Sequence, residues 1–128
     1  MSQNLDIDRQ INSTISLAPA ARTASANGTG VDLSGFTECA AVLITGIRTD
    51  GTHAIKLQDS PDNSSFTDIP AAQLSGAFAA DVVSTTTVEV GVLSSARYVR
   101  AVATVSGTTT GAVYAVQIIR AGARTEPQ

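Results

Sequence analysis

The sequence predicts an all-β chain, a β-sandwich of jelly-roll type. Three observations carry that expectation. Apolar and polar residues alternate along segment after segment, the period-two signature of strands with one buried face. Clusters of Gly, Asp, Asn, Ser and Pro separate these segments at roughly ten-residue spacing, which gives about seven to nine strands. The composition also suits pleated sheet: hydrophobic residues are 43% of the chain but aromatics only 4%, and lysine occurs once. The core is therefore built from Val, Ile, Leu and Ala, and the surface from Thr, Ser, Asn and Gln.

In chain order, residues 1–10 are polar and mixed in charge and read as a flexible N-terminal arm. Ile11–Leu17 places apolar residues at Ile11, Ile15 and Leu17 and reads as a first strand. Ala18–Gly30, APAARTASANGTG, is small and marked by Pro and Gly, so it reads as a loop or edge segment. Glu38–Ile47 is the most apolar run. Ala41, Leu43 and Ile47 share one face and Ala40, Val42 and Ile44 the other, which predicts a central strand covered on both sides. Thr49-Asp50-Gly51-Thr52 carries Asp-Gly, a hairpin signal. In the return strand His53–Asp59, Ile55 and Leu57 point inward while Ala54, Lys56 and Gln58 point outward. Ser60–Ser65 is a turn biased by Pro61 and Asn63, and a short strand begins over Phe66 and Ile69.

Ala71–Ala80, AAQLSGAFAA, is either a helical turn or a short strand pair broken at Gly76. Val82–Val92 alternates again, with Val88, Val90 and Val92 opposite Thr87, Glu89 and Gly91. A turn at Ser94-Ser95-Ala96 leads into Arg97–Val105, with Val99, Ala101, Ala103 and Val105 inward. Gly107–Gly111 is a polar hairpin loop and Ala112–Ile119 a last strand. The domain is thus 11–120, and 121–128 is a frayed tail. Few charges are available to protect strand edges, so an edge or face is expected to be covered by another chain.

The bulk properties narrow the function. A length of 128 residues is one domain's worth, long enough for a core without metal or disulfide. With a net charge of -3 and a single lysine, Lys56, the chain offers poor footing for phosphate backbones, so no nucleic-acid partner is expected. Cys39 is the only cysteine; it excludes an intrachain disulfide and reads as a small buried hydrophobe. The first residues show no signal-peptide run, and no window approaches the roughly 18 apolar residues of a membrane span. The product is expected to be soluble, made in a reducing compartment and without a membrane partner.

Chemistry-bearing constellations are sparse, and neither catalytic residues, a cofactor nor a metal is expected. His53, the only histidine, opens a strand after a turn, where a solvated imidazole is common. Asp59, Asp62 and Asp68 flank a Ser/Asn loop, but the spacing fails a calcium loop: Pro61 holds the third position and Ser64 the glycine position. Turn capping by Asp and Asn is the better reading. Gly28 and Gly30 build no phosphate-binding motif. The sequons at Asn12, Asn27 and Asn63 reflect a Ser/Thr-rich composition. Arg97 and Arg100, three steps apart, fall on opposite strand faces. They read as interface arginines or as partners in surface ion pairs, Glu89 being a candidate. Tyr98 and Tyr114 are placed half-buried at the sandwich margin, where they could pair across neighbouring strands. Arg97, Arg100, Tyr98 and Tyr114 are the candidate interface residues.

The stretch VDLSGFTECAAVLITGIRTDGTHAIKLQDSPDNSSFTDIPAAQLSG, Val31–Gly76, resembles head decoration or cement proteins of tailed bacteriophages in the order and texture of its segments. That resemblance implies a β-sandwich subunit on the outer capsid surface of a virion, made in the host cytoplasm. It further implies a homo-oligomer, dimer or trimer, with the major capsid protein as partner. A second resemblance is to discoidin-like, galactose-binding jelly rolls, through SARYVRAVAT (Ser95–Thr104) and QDSPDNSSFTDI (Gln58–Ile69). It implies a carbohydrate-binding module of a phage tail or adhesin. The chain departs from that pattern: it has no Trp, and Phe66, Phe78, Tyr98 and Tyr114 are scattered through strands rather than gathered to stack on a sugar.

Overall fold

The computed structural model describes residues 11–122; the expected arm, 1–10, and the tail beyond Gly122 lie outside the described residues. Two antiparallel sheets pack face to face as a β-sandwich. The strands are β1 (Ile11–Arg22), β2 (Ala26–Asn27), β3 (Val31–Asp32), β4 (Glu38–Arg48), β5 (Thr52–Ser60), β6 (Thr67–Asp68), β7 (Leu74–Ser75), β8 (Thr86–Val92), β9 (Tyr98–Ser106) and β10 (Ala112–Ala121). Sheet A runs β1-β10-β4-β8-β7; sheet B runs β2-β9-β5-β6, with β3 also on β9.

The alternation decides which side chains meet between the sheets. Val99, Ala101 and Ala103 of β9 and Ile55 and Leu57 of β5 face Ala41 and Leu43 of β4, Val116 and Ile118 of β10, and Val90 of β8. All are buried. At about 1.5–3 kcal/mol per fully buried aliphatic side chain, this layer is the main favourable term holding the sheets together. Small Ala101, Ala103 and Ala41 let the sheets approach without the bulky aromatics the composition lacks.

Several expectations need correction. β1 does not stop at Leu17 but continues to Arg22, through Ala18–Ala21 and Pro19. Proline is tolerated there because β1 is an edge strand, with no neighbour on its far side needing that N–H. β4 is central, between β10 and β8, but no third layer lies on its outer face: Val42 is buried there while Ile44 is 43% exposed. Ile47 does not share the inner face with Leu43; a register shift near the end of β4 leaves it 65% exposed. The strand expected over Val82–Val92 begins only at Thr86 and that over Arg97–Val105 at Tyr98, while the last strand reaches Ala121, at the head of the expected tail. In Ala71–Ala80 the helical turn is present, as a 3₁₀ turn over Ala71–Gln73, but the strand pair is not: β7 stands alone before Gly76, at φ 102°, and pairs with β8 instead.

The largest correction concerns two turns. Asp50-Gly51 and Gly107–Gly111 were expected to close hairpins, yet each joins strands of different sheets, β4 to β5 and β9 to β10. The turn chemistry is as expected, with Gly51 at φ 87° and Gly111 at φ 85°. The pairing is not local, because each strand finds its ladder partner elsewhere in the chain. The two arches are bolted together by the Asp50 carboxylate, which accepts the N–H groups of Thr109 (3.1 Å), Thr110 (3.2 Å) and Gly111 (2.7 Å). Those bonds hold Asp50 below the usual carboxylate range.

A seam also joins β1 to sheet B. The buried Ser16 hydroxyl accepts the Ala101 N–H (2.9 Å) and donates to the Thr29 carbonyl (2.8 Å), while the Ser16 carbonyl accepts the Thr29 N–H (2.7 Å). Gly28 is required there: a Cβ would lie 2.6 Å from the Ser16 and Ala101 carbonyl oxygens.

Candidate functional site

Three regions gather side chains that could carry function. The first is a polar cluster beneath the arches. His53, the second residue of β5, is fully buried, not solvated as expected. Its Nε2 faces the Asp50 carbonyl at 3.0 Å, which can only accept, so Nε2 carries the proton. Nδ1 then accepts the Tyr114 hydroxyl at 3.0 Å. Tyr114 is 1% exposed and packs edge-on to the imidazole, so it belongs to the core, not to the margin or to an interface. It cannot pair with Tyr98, which sits in the other sheet. Burial raises the Tyr114 phenol. Asp81 accepts the His53 backbone N–H (2.8 Å) and pairs with Arg48 (2.6 Å). Burial works to raise Asp81, but these bonds outweigh it and lower it. Both imidazole nitrogens are engaged, and Asp81 holds the backbone of His53 rather than its ring. The arrangement ties β4, β5 and β10 together.

The second region is the outer face of sheet B, which carries Tyr98 and Arg100, with Arg97 at its margin; the two arginines do not stand on opposite faces, because Arg97 lies outside β9 and its guanidinium turns to Asp32 and Tyr98. Arg100 bonds Gln58 Oε1 through both Nε (2.9 Å) and a terminal nitrogen (2.7 Å), and its guanidinium lies 4.0 Å from the centre of the Phe66 ring. Gln58 in turn donates to Asp68 (2.8 Å), which pairs with Lys56 (3.1 Å). Arg97, just ahead of β9, grips Asp32 with two bonds (3.0 and 2.9 Å) and lies over the Tyr98 ring at 5.1 Å. The Arg97 hydrogen bond holds Asp32 well below the usual carboxylate range. Glu89, the expected partner, stands on β8 in the other sheet. These arginines are occupied within the chain, and the rings that might stack on a ligand are covered by them.

The acidic loop acts as a turn. Asp62 accepts the N–H groups of Ser64 (3.0 Å) and Ser65 (2.9 Å) and the Ser60 hydroxyl (2.9 Å), with Asn63 at φ 61°. Asp59 receives the Ser94 hydroxyl. Among the described residues, no group of three or more His, Cys, Asp or Glu is placed to hold a metal ion.

The third region, which the sequence reading missed, is the outer face of sheet A. The register aligns Ile15 with Gln117 and Val42, and Ala115 with Ile44. Ile15, Ile44 and Val113 are 47%, 43% and 41% exposed. With Pro19, Gly46 and Ala115 they line a shallow apolar groove of about 330 Å³. By the same register no lysine or arginine stands on this face, and its carboxylates, Glu38 and Glu89, lie at the margins. The signal lies in the sequence as apolar residues on both faces of Glu38–Ile47; the cover expected on both sides is present on the inner side, and the outer side leaves Ile44 exposed.

A larger depression, about 480 Å³, opens at the other end of β4, between the Leu33–Cys39 loop and Val92–Arg97. Cys39 lies in its wall, and burial pushes its thiol up to about 11, which leaves it protonated and unreactive at neutral pH. No helix among the described residues is long and apolar enough to cross a membrane.

Fold and surfaces together define the class: an antiparallel β-sandwich with one closed polar face and one open apolar face. Comparison with family models, with curated proteins and with solved structures gives no match to this chain.

Proposed function

We propose that this protein is a non-enzymatic structural module that docks through the outer face of sheet A onto another protein. We propose further that the surface it meets is the outside of a bacteriophage capsid, with the major capsid protein as partner. The observation that carries the docking reading is the cluster of exposed Ile15, Ile44 and Val113 around an apolar groove. Contiguous apolar surface rimmed by polar groups is typical of protein contact sites. The marginal Glu38 and Glu89 favour a partner with basic residues around an apolar centre. The capsid setting rests on the resemblance of Val31–Gly76 to decoration proteins. A rigid sandwich bound at many equivalent positions would stiffen a shell even with weak contacts per subunit.

The glycan-binding alternative has less support, because Arg100 covers Phe66 and Arg97 covers Tyr98. An enzymatic reading would have to use a histidine whose two ring nitrogens are both committed.

The test is compositional. Purified particles of the phage that encodes the chain should contain it at high copy number. The double variant Ile44→Glu, Val113→Glu should remain outside the particles while still folding. Absence of the native chain from particles ends the capsid reading; retention of the double variant ends the assignment of the face.

A further inference from the structure

Strand edges are where one sheet can recruit another. β1 is the longest described strand and forms one edge of sheet A. No residue from Ile11 to Ala21 is charged. Its second half is defended. Register shifts fall between Ile15 and Leu17 and between Leu17 and Ala20, Pro19 removes a donor, Thr29 bonds Ser16, and Arg22 bonds the Ala18 carbonyl. These are the devices that blunt an edge. From Ile11 to Ile15 none of them operates: the ladder to β10 is regular, and no other described backbone pairs with this stretch.

The other edges differ. β2, β3, β6 and β7 are two residues each. The open side of β5 receives the Ile69 and Val82 N–H groups and carries Lys56, and β8 beyond β7 carries Glu89. An uncharged, regular, uncovered five-residue edge is thus confined, among the described residues, to Ile11–Ile15.

The pentapeptide Ile-Asn-Ser-Thr-Ile is also nearly palindromic in character. Laid antiparallel on a second copy and centred on Ser13, it sets Ile11 against the other Ile15 on the outer face, and Asn12 against Thr14 on the inner. Like meets like at every position, as an isologous twofold contact requires. A shift of two residues would set Ile15 against Ser13 and lose that match. The pairing stops where it must, at Ser16, because the Thr29 loop occupies the edge beyond.

We propose that two copies of this chain associate through the Ile11–Ile15 edge of β1, about a twofold axis at Ser13, fusing their A sheets into one continuous sheet. The inference stands apart from the identity of any docking partner. It leaves the outer face of sheet A uncovered and sets the two copies' apolar faces side by side, doubling the surface presented to a partner.

The test is a charge exchange at the two isoleucines, which are 40% and 47% exposed and tolerate substitution. Sedimentation of the full chain should show a concentration-dependent dimer. Ile11→Lys with Ile15→Lys opposes like charges at two places and should weaken the dimer at least tenfold. Ile11→Glu with Ile15→Lys places Glu against Lys twice and should restore it. In a Cys39→Ala background, Ser13→Cys should oxidise to a linked dimer, since directly opposed residues have Cα atoms about 4.5–5.5 Å apart, within disulfide range. Ser75→Cys on the β7 edge should not. A native chain that stays monomeric, a Glu/Lys variant no tighter than the double lysine, or cross-linking equal at Ser13 and Ser75 would each overturn the proposal.

Discussion

The two outer faces of this sandwich are built from strands of the same pattern, yet they end in opposite states. On sheet B, every long polar side chain that rises from the face finds a partner within the chain: Lys56 with Asp68, Asp68 with Gln58, Gln58 with Arg100, Arg100 over Phe66. That face is chemically closed. On sheet A the same outward positions hold Ile15, Ile44 and Val113, which the described chain leaves largely exposed around a buried Ala115. A polar network that satisfies itself has little to gain from a partner, whereas exposed aliphatic surface gains by leaving water. The conspicuous arginines therefore mark the quieter face, and the unremarkable aliphatic one has more to gain from contact.

The largest test compares the two sides of sheet A. Ile118 on β10 is fully buried between the sheets, and Ile118→Ala should cost about 2–5 kcal/mol, the transfer loss plus an unfilled cavity. Ile44 on the outer side of neighbouring β4 is nearly half exposed already, so Ile44→Ala should cost less than half as much. Chemical denaturation of both variants measures the difference. Equal costs would mean that the outer face is covered in solution. Next comes binding. Ile44→Glu with Val113→Glu should weaken attachment to the partner by about 2 kcal/mol or more, roughly thirtyfold, if these residues form the centre of the contact. The same pair should change the stability of the isolated chain by no more than about 1 kcal/mol.

How the fold could be read in advance follows the same division. Val99-x-Ala101-x-Ala103 and Ile55-x-Leu57 announce buried strand faces because a period of two is a local property. Asp50-Gly51 announces a turn for the same reason, but whether that turn closes a hairpin or an arch depends on what lies beside each strand. β4 pairs with β10, far along the chain, so the arch could not be seen locally. His53 and Tyr114 were misplaced on similar grounds. Each is polar-tipped and close to a turn, and each is satisfied in burial: Tyr114 by His53, and His53 by Tyr114 and the Asp50 carbonyl. Ile44 marks the outer groove of sheet A in the sequence, with buried Val42 beside it on the same face, but a period of two does not tell a covered face from one open to solvent.

Arg100 tests the closed face directly. Arg100→Ala removes two bonds to Gln58 and the cover over Phe66. Exposed polar pairs and a surface cation–π contact are each worth about 1 kcal/mol or less, so the loss of stability should stay near that size. Attachment to the partner should be unchanged. A strong loss of attachment with stability intact would shift the contact to sheet B.

The smallest effect separates the faces by their response to acid. Gln58 and Lys56 lower the Asp68 carboxyl from its ordinary value of 3.8. A carboxyl that is more acidic in the folded chain than in the unfolded one stabilises the fold fully above the unfolded value. That stabilisation disappears as pH falls through the lower, folded value. Asp68→Asn keeps an oxygen to accept from Gln58 but cannot carry the charge that attracts Lys56. The variant should therefore be slightly less stable than the native chain at neutral pH, and the gap should shrink once the pH drops below 3.8. Ile44→Thr on the opposite face alters no carboxylate contact, since its ladder neighbours are Thr87 and Ala115. Its stability difference should stay constant over the same range. Urea midpoints for the two variants, taken from neutral pH into the acid limb, give the comparison: a gap for Asp68→Asn that does not close, or one for Ile44→Thr that does, would mean the charged network is not confined to sheet B.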